Sequence, residues 1–156
     1  MSGGAGDDVL ISNGGDSLTG GPGADVFRIT AAWALIVGPS GQEAQPLLTT
    51  ITDFEEGVDR LVLVRETQAE LPLQGSADRI LFRGFQDLSV GSLATDRFVL
   101  VGDRAQIPPN TTGIFYNPND GALYYQGPSV FPGLAPIQVA TIPGLRQSGS
   151  MLGSTE

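Results

Sequence analysis

Two segments near the start of the chain combine glycine and aspartate in the same order. Residues 3–11 read GGAGDDVLI and residues 20–28 read GGPGADVFR, so Asp8 and Asp25 each follow a run of glycines and precede apolar residues. Short carboxylates beside glycine are typical of turns, where backbone carbonyl oxygens can also point at a ligand. Carboxylate and carbonyl oxygens together are the donors that hard cations prefer. The chemistry that this pattern favours is therefore the binding of a hard cation.

The two segments satisfy one nonapeptide pattern, G-G-x-G-x-D-x-U-x, in which U is a large apolar residue. Between them, residues 12–19 read SNGGDSLT and fit as a copy that is one residue short, with Gly14, Asp16 and Leu18 at the glycine, acidic and apolar positions. In each copy the glycines predict a tight turn, and the apolar residue begins a short strand that faces the core. A flexible glycine-rich linker is the alternative, but it would not explain the phased aspartate and apolar positions.

After residue 28 the sequence changes to ordinary β patterning. Short apolar runs over residues 59–64 and 79–83 predict strands. Residues 114–116 and 122–125 are apolar and aromatic, and they flank the sequence Asn-Pro-Asn-Asp-Gly. That sequence predicts a hairpin turn with Gly121 at a positive φ. We expect an all-β chain.

The chain divides by composition into three parts. Glycine makes up 22 of the 156 residues and is concentrated at the start. We expect the repeats to occupy residues 1–30 and a closing and capping block of the same domain to occupy residues 31–145. The end of the sequence is small, polar and rich in Gly and Ser, which predicts a flexible tail over residues 146–156.

Composition also narrows the class of function. The 17 acidic residues outnumber the 8 basic ones, and a net charge of −9 argues against binding nucleic acid or an anionic membrane surface. The chain has no Cys, His or Lys, which leaves Glu55, Glu56 and the turn aspartates as acid or base candidates without a partner. The longest uncharged apolar run, residues 31–37, is too short to span a bilayer. We therefore expect neither an enzyme nor membrane insertion.

The repeats resemble the calcium-binding nonapeptide of the RTX, or haemolysin-type, family. A second segment, ITDFEEGVDRL over residues 51–61, looks like the I-x-D-F-x-x-G-x-D segment that closes the β-roll in serralysin-like and haemolysin-type proteins. Residues 98–102, 116–125 and 139–142 resemble a block found near the C-terminus of many RTX proteins. The matches cover most of residues 3–142. The resemblance implies a short right-handed parallel β-roll that continues into a C-terminal strand and hairpin region.

The resemblance also implies a set of metal ligands. In such a roll two repeats make one full turn, so the turn of Asp8 is expected beside the turn of Asp25. Two stacked turns can supply the about 6 to 8 oxygen ligands that calcium takes. The closing segment of the family completes a terminal calcium site. Here Asp53 and Asp59 would be its ligands, with Asp16 or Asp25 as an additional one; the alternative is that Asp53 and Asp59 are ordinary acidic residues of a turn. The predicted metal ligands are Gly4, Gly6, Asp8, Gly14, Asp16, Gly21, Gly23, Asp25, Asp53 and Asp59.

Two features depart from the family pattern. The hairpin is followed by Tyr-Gln-Gly-Pro over residues 125–128 instead of an Asp-Asp-Gly type of calcium turn, so no calcium site is expected there. Residues 31–50, which include Trp33, form an insertion that matches no part of the family pattern.

As to function, the resemblance implies a secreted, extracellular calcium-binding domain that supports type I secretion of a larger parent protein. The chain would cross the secretion machinery unfolded and fold outside the cell on binding calcium. Clustered carboxylates that repel one another without metal make this coupling physically reasonable. Because the repeats begin at Gly3, further repeats or an effector domain are expected elsewhere in the parent.

An adhesive or carbohydrate-binding module is the alternative function. In that case exposed aromatic side chains would bind a glycan or a cell-surface partner. Aromatic pairs that simply pack across a hairpin are the competing explanation for these residues. The aromatic candidates are Trp33, Tyr116, Tyr124 and Tyr125.

Overall fold

A computed structural model describes the chain as β-structure with almost no helix. It covers residues 1–39, 41–65, 79–83, 85, 87–88, 91–92, 98–128, 136–145 and 153–155, with the backbone alone for residues 32–38, 41–45, 79–83, 92 and 153–155. Over these residues the strands are β1 Val9–Ser12, β2 Ser17–Leu18, β3 Val26–Ile29, β4 Ala32–Gly38, β5 Gly41–Pro46, β6 Thr49–Ile51, β7 Arg60–Leu63, β8 Arg79–Arg83, β9 Gly91–Ser92, β10 Phe98–Leu100, β11 Gly113–Asn117, β12 Ala122–Gln126, β13 Ile137–Thr141 and β14 Gly153–Thr155. A 3-10 helix spans Arg104–Gln106. The prediction of an all-β chain is confirmed.

The described strands form three sheets. The first has the order β1-β3-β7-β14-β9, in which the first four strands are parallel and β9 is antiparallel to β14. The second has the order β10-β11-β12-β13-β6-β2, with β2, β6 and β13 parallel and the hairpin strands antiparallel. The third consists of β5, β4 and β8. No helix in the described part of the chain is long and apolar enough to cross a membrane.

The N-terminal strands alternate between the first and second sheets. Val9 of β1 pairs with Val26 of β3 in the first sheet, and β2, which lies between them along the chain, belongs to the second sheet. Since side chains alternate along a strand, one residue in two faces inward. The apolar residue of each repeat is among the most deeply buried in the chain: Leu10, Leu18 and Phe27. The prediction that these positions face the core is confirmed.

The insertion over residues 31–50 forms an antiparallel hairpin of β4 and β5, and β8 pairs with the outer side of β4. The hairpin leaves the sheets after β3 and returns at β6. At its base Gly15 N donates a hydrogen bond of 3.2 Å to Leu47 O. Both ends of the insertion therefore lie at the same edge of the N-terminal strands as the turn of residues 13–16. The predicted strands at residues 59–64 and 79–83 correspond to β7 and β8.

The predicted hairpin is confirmed as β11 and β12. Ile114 pairs with Tyr125 and Asn117 with Ala122, and Gly121 has a φ of 76°. The side chains of the turn stabilise it, because the side-chain oxygen Asn117 Oδ1 accepts from Asn119 N and the Asp120 carboxylate accepts from Ala122 N. This hairpin joins the N-terminal strands through β13, which pairs with β6.

One cluster of buried apolar side chains connects the repeats to the C-terminal block. It includes Leu10 and Phe27 from the repeats and Tyr116 and Leu123 from the hairpin. Since side chains of both parts pack in one cluster, each part buries apolar surface against the other, which is the main favourable term in folding. The opposite face of the hairpin carries a smaller cluster of Val101, Ile107, Phe115, Ala122 and Tyr124.

The end of the chain differs from the sequence-based expectation. Residues 146–152 and 156 lie outside the described residues, but Gly153–Thr155 form a strand, so the prediction of a flexible tail was wrong there. Strand pairing depends on backbone groups, and β7 presents an edge that a segment of low β-propensity can still bind. Ser154 pairs with Val62 of β7 and with Ser92 of β9.

Candidate metal site

Three turns lie at one edge of the N-terminal strands, and we name them turn A (residues 3–8), turn B (residues 20–25) and turn C (residues 52–59). Turn A precedes β1, turn B precedes β3 and turn C precedes β7, and these three strands are parallel neighbours. Turn A contacts turn B directly: Gly4 N donates to Gly20 O at 3.1 Å, and Gly6 N donates to Pro22 O at 2.8 Å. The turns of the two full repeats are therefore adjacent, as predicted.

Glycine is required where turn A meets turn B. Gly21 and Gly23 have φ values of 100° and 148°, which side chains disfavour. A Cβ at Gly21 would collide with Gly4 O, and a Cβ at Gly23 would collide with Gly6 O. The four glycines that were predicted to supply carbonyl ligands are thus brought together, with the carbonyl oxygens of turn A directed at turn B.

Asp8, Asp25 and Asp59, one from each turn, are linked through all three turns by hydrogen bonds. Asp25 Oδ1 accepts from Asp8 N at 2.9 Å, and Asp59 Oδ1 accepts from Asp25 N at 2.9 Å. Each carboxylate therefore binds the amide of the corresponding aspartate in the preceding turn. The second oxygen of Asp59 accepts from Glu55 N at 2.7 Å, within its own turn.

The second carboxylate oxygen of Asp25 is different. Asp25 is only 1% exposed, and its Oδ2 is buried without a hydrogen-bond partner. The oxygen lies against Gly20, where a Cβ would collide with it. A buried carboxylate oxygen without a partner is costly, by several kcal/mol on the usual scales. It is therefore a position at which a cation would be stabilised.

Asp53 and Asp59, the predicted ligands from the closing segment, both contact turn B. The two carboxylate oxygens of Asp53 accept from Gly20 N and Gly21 N, each at 2.9 Å. Asp59 is 4% exposed, and both of its oxygens also accept from amides. The structure thus gives each of these carboxylates a role as a hydrogen-bond acceptor, and their role as metal ligands stays a prediction of the resemblance.

Gly14 and Asp16 lie at the opposite edge. Their turn follows β1, whereas turns A and B precede β1 and β3, so the strand length separates them from Asp8 and Asp25. Asp16 Oδ2 accepts from Ser12 Oγ at 2.8 Å, and Gly15 N of the same turn donates to Leu47 O at 3.2 Å. Asp16 O accepts from Thr50 N, just before the closing segment, but because consecutive turns alternate between edges Asp16 lies at the edge opposite Asp53 and Asp59. Asp16 and Asp25 were the two alternatives for an additional ligand of a terminal site. Of these, Asp25 is the one that contacts the closing segment, through Asp59.

One acidic contact was missed by the sequence analysis. Asp7 occupies a variable position of the repeat, and its Oδ1 accepts from Ala24 N in turn B at 2.9 Å. The only available signal was its position next to Asp8 in the sequence. Asp7 and Asp25 thus each place a carboxylate oxygen at the junction of turns A and B, whereas the Asp8 carboxylate lies against Gly3 within turn A.

The donor set at this junction consists mainly of backbone oxygens. Over the residues that the structure describes, no group of three or more His, Cys, Asp or Glu side chains converges on a point that could hold a metal. Calcium sites accept carbonyl oxygens as readily as carboxylates and need about 6 to 8 donors. The glycine carbonyls of two stacked turns, with the Asp8 and Asp25 carboxylates, fit calcium in chemical type.

The tyrosines do not form the exposed binding surface that the adhesive alternative requires. Tyr116 and Tyr125 are fully buried, and Tyr124 is 8% exposed. The Tyr116 hydroxyl donates to Ile142 O at 2.7 Å, and the Tyr125 hydroxyl donates to the Asp87 carboxylate at 2.6 Å. Burial raises the pKa of Tyr124, and Asp120 adds to this effect. These three rings pack on both faces of the hairpin, as the competing explanation predicted, and are not exposed as the adhesive alternative requires; the side chain of Trp33 lies outside the described residues.

Comparisons with known proteins add no family assignment. No family model, curated protein or solved structure matches the chain. The repeats and the geometry of turns A, B and C therefore provide the basis for assigning a function.

Proposed function

We propose that this chain is a calcium-binding module of the RTX kind, a short right-handed parallel β-roll closed by a C-terminal hairpin block, and that it has no catalytic role of its own. Calcium would bind at the junction of turns A and B. The module would belong to a secreted protein, exported through type I secretion machinery and completed by calcium outside the cell. The repeat pattern and the closing segment support the family and the export route.

The observation that carries the proposal is the buried carboxylate of Asp25. Its Oδ2 has no hydrogen-bond partner, although the residue is 1% exposed and lies at the end of turn B in contact with turn A. A protein that only needed a turn here could use a residue without charge. A divalent cation would compensate the buried charge, and the carbonyls of Gly4, Gly6, Gly21 and Gly23 with the Asp8 carboxylate would supply further oxygens.

The charge distribution supports coupling between calcium and folding. The chain carries a net charge of −9, and Asp7 and Asp8 of turn A approach Asp25 of turn B. Without a cation these carboxylates repel one another. A ligand that binds only the folded arrangement stabilises it by mass action, so calcium would favour the stacked turns.

Calcium titration of the chelated protein tests the proposal. We expect isothermal titration calorimetry to detect calcium binding with a Kd of about 0.1 to 1 mM, the range of extracellular modules. Magnesium should bind much more weakly, because it demands a tighter octahedral geometry. The thermal unfolding midpoint should rise with calcium. Absence of calcium binding up to about 10 mM, well above the range of such modules, would exclude the function.

A glycine substitution tests whether the site depends on contact between the turns. Gly21→Ala places a Cβ against Gly4 O, whereas Gly4→Ala has a similar positive φ and nothing within 4 Å. Overpacking costs about 1 to 3 kcal/mol, so we expect Gly21→Ala to weaken calcium binding at least about fivefold more than Gly4→Ala does. Equal losses in calorimetry would show that only the backbone conformation matters.

A further inference from the structure

We infer that calcium orders only the first layer of the module, residues 1–12, and that turns B and C are held together without metal. The inference rests on the proposed calcium site and concerns which part of the chain that site controls. It departs from the expectation that the closing segment contributes a metal site of its own. The module contains two junctions of the same kind, that of turns A and B and that of turns B and C.

The junction of turns B and C is completed by protein groups alone. Asp53 accepts from Gly20 N and Gly21 N, and Asp59 accepts from Asp25 N. Neither of these two aspartates of turn C has a buried oxygen without a partner. Hydrogen bonds between a carboxylate and backbone amides are strong, so these contacts do not need a cation to satisfy their polar groups.

Turn C is also fixed by packing. Phe54 is 5% exposed, and its ring lies 6.0 Å from that of Phe27, centroid to centroid. Both rings belong to the large cluster that includes the hairpin residues Tyr116 and Leu123. Turns B and C, with the strands β3 and β7 that follow them, therefore share the apolar core that the C-terminal block completes, and this core forms whether or not calcium is present.

The first layer has far less to hold it. Leu10 is its single side chain in the large cluster, whereas Met1, Val9 and Ile11 are 65%, 62% and 51% exposed. Ordering a segment costs conformational entropy for every residue, and burial of one leucine offsets only a small part of that cost over residues 1–12. The backbone hydrogen bonds to turn B replace bonds to water, so each contributes little net free energy.

The carboxylate of Asp25 faces the first layer through one of its oxygens, while the unpaired Oδ2 lies against Gly20 of turn B itself. The other oxygen of the same carboxylate receives Asp8 N from turn A. Docking of turn A buries this carboxylate and brings Asp7 and Asp8 close to it, which is unfavourable until a cation neutralises the group. Calcium therefore acts at the junction where the stacked aspartates are incompletely paired, and it acts as a clamp for residues 1–12.

Amide hydrogen exchange, followed by NMR on the whole chain, tests this inference residue by residue. The amides of Gly4, Gly6 and Asp8 bind turn B, and those of Gly20, Gly21 and Asp25 bind turn C, so the two sets form matched probes one layer apart. With calcium at about 100 times its Kd, we expect protection of the first set to rise about 100-fold over the chelated protein. Protection of the second set should change less than about threefold, because global stability is limited by the core.

The outcomes separate this inference from the proposed function. If calorimetry detects calcium binding but both sets gain protection together, calcium controls the whole module and the inference is wrong. If the first set is equally protected in chelator, the first layer needs no metal and the inference is also wrong. If no calcium binds, the proposed function fails and the inference fails with it. Protection that appears with calcium in the first set alone supports both.

Discussion

Replacement of Asp25 by asparagine is expected to weaken calcium binding at least about tenfold, equivalent to about 1.4 kcal/mol, and to remove most of the stabilisation that calcium provides. The carbonyl oxygen of the new side chain can still accept from Asp8 N, so the contact between turns A and B is retained. What is lost is the buried negative charge at Oδ2. The measurements are calorimetric calcium titration and thermal unfolding in chelator and in calcium.

Asp16→Asn is the matched control for Asp25→Asn. Asp16 holds the same position in the degenerate repeat, but it lies at the opposite edge and binds Ser12 Oγ. Asparagine can keep this hydrogen bond, and we expect calcium affinity to change less than about twofold, since the two sites are a strand length apart. If the two variants lose affinity equally, calcium binds at both edges, and the assignment to turns A and B is wrong.

Replacement of Asp59 by alanine is expected to lower the free energy of unfolding by about 3 to 5 kcal/mol, because hydrogen bonds to a carboxylate are worth about 1.5 to 3 kcal/mol each. The substitution leaves Asp25 N and Glu55 N without their acceptor, and the first of these amides is buried. We expect the same loss in chelator and in saturating calcium. Urea unfolding followed by circular dichroism measures it.

Asp53→Ala is the comparison for Asp59→Ala, because Asp53 is an exposed acceptor and Asp59 is a buried one. Asp53 also accepts from two amides, but it is exposed, so water can take its place. We expect a loss below about 1.5 kcal/mol. If the large effect of Asp59→Ala is present in calcium and absent in chelator, Asp59 acts as a metal ligand and not as a structural acceptor. That outcome would restore the terminal calcium site implied by the resemblance.

Periodic features of the fold could be predicted from the sequence. The apolar position of each repeat indicated the inward direction of Leu10, Leu18 and Phe27, because side chains alternate along a strand and only one face of each strand is buried. The hairpin followed from its turn residues, since Gly121 supplies a backbone conformation that other residues disfavour. The adjacency of turns A and B followed from the repeat and its resemblance to a known pattern.

Non-periodic features could not be predicted in this way. The pairing of β14 with β7 depends on which strand edge is open in three dimensions, and the Gly-Ser-Thr sequence carries no sign of it. The burial of Tyr116 and Tyr124 depends on what covers each face of the hairpin. The hydrogen-bonding role of Asp59 was equally hidden, because a carboxylate in a turn can bind an amide or a cation, and the choice depends on the neighbouring turn.

The parallel stacking of the N-terminal strands has a consequence for length. Neighbouring strands in a sheet lie about 4.8 Å apart, and the hydrogen bond from Asp8 to Asp25 spans one step of 17 residues along the chain. One more copy of this step ahead of turn A would add one layer, while Leu123 and Tyr116 at the far end would keep the same neighbours. The length of such a module along the stacking direction therefore changes in steps of about 4.8 Å per added layer. The C-terminal block that closes the module does not have to change.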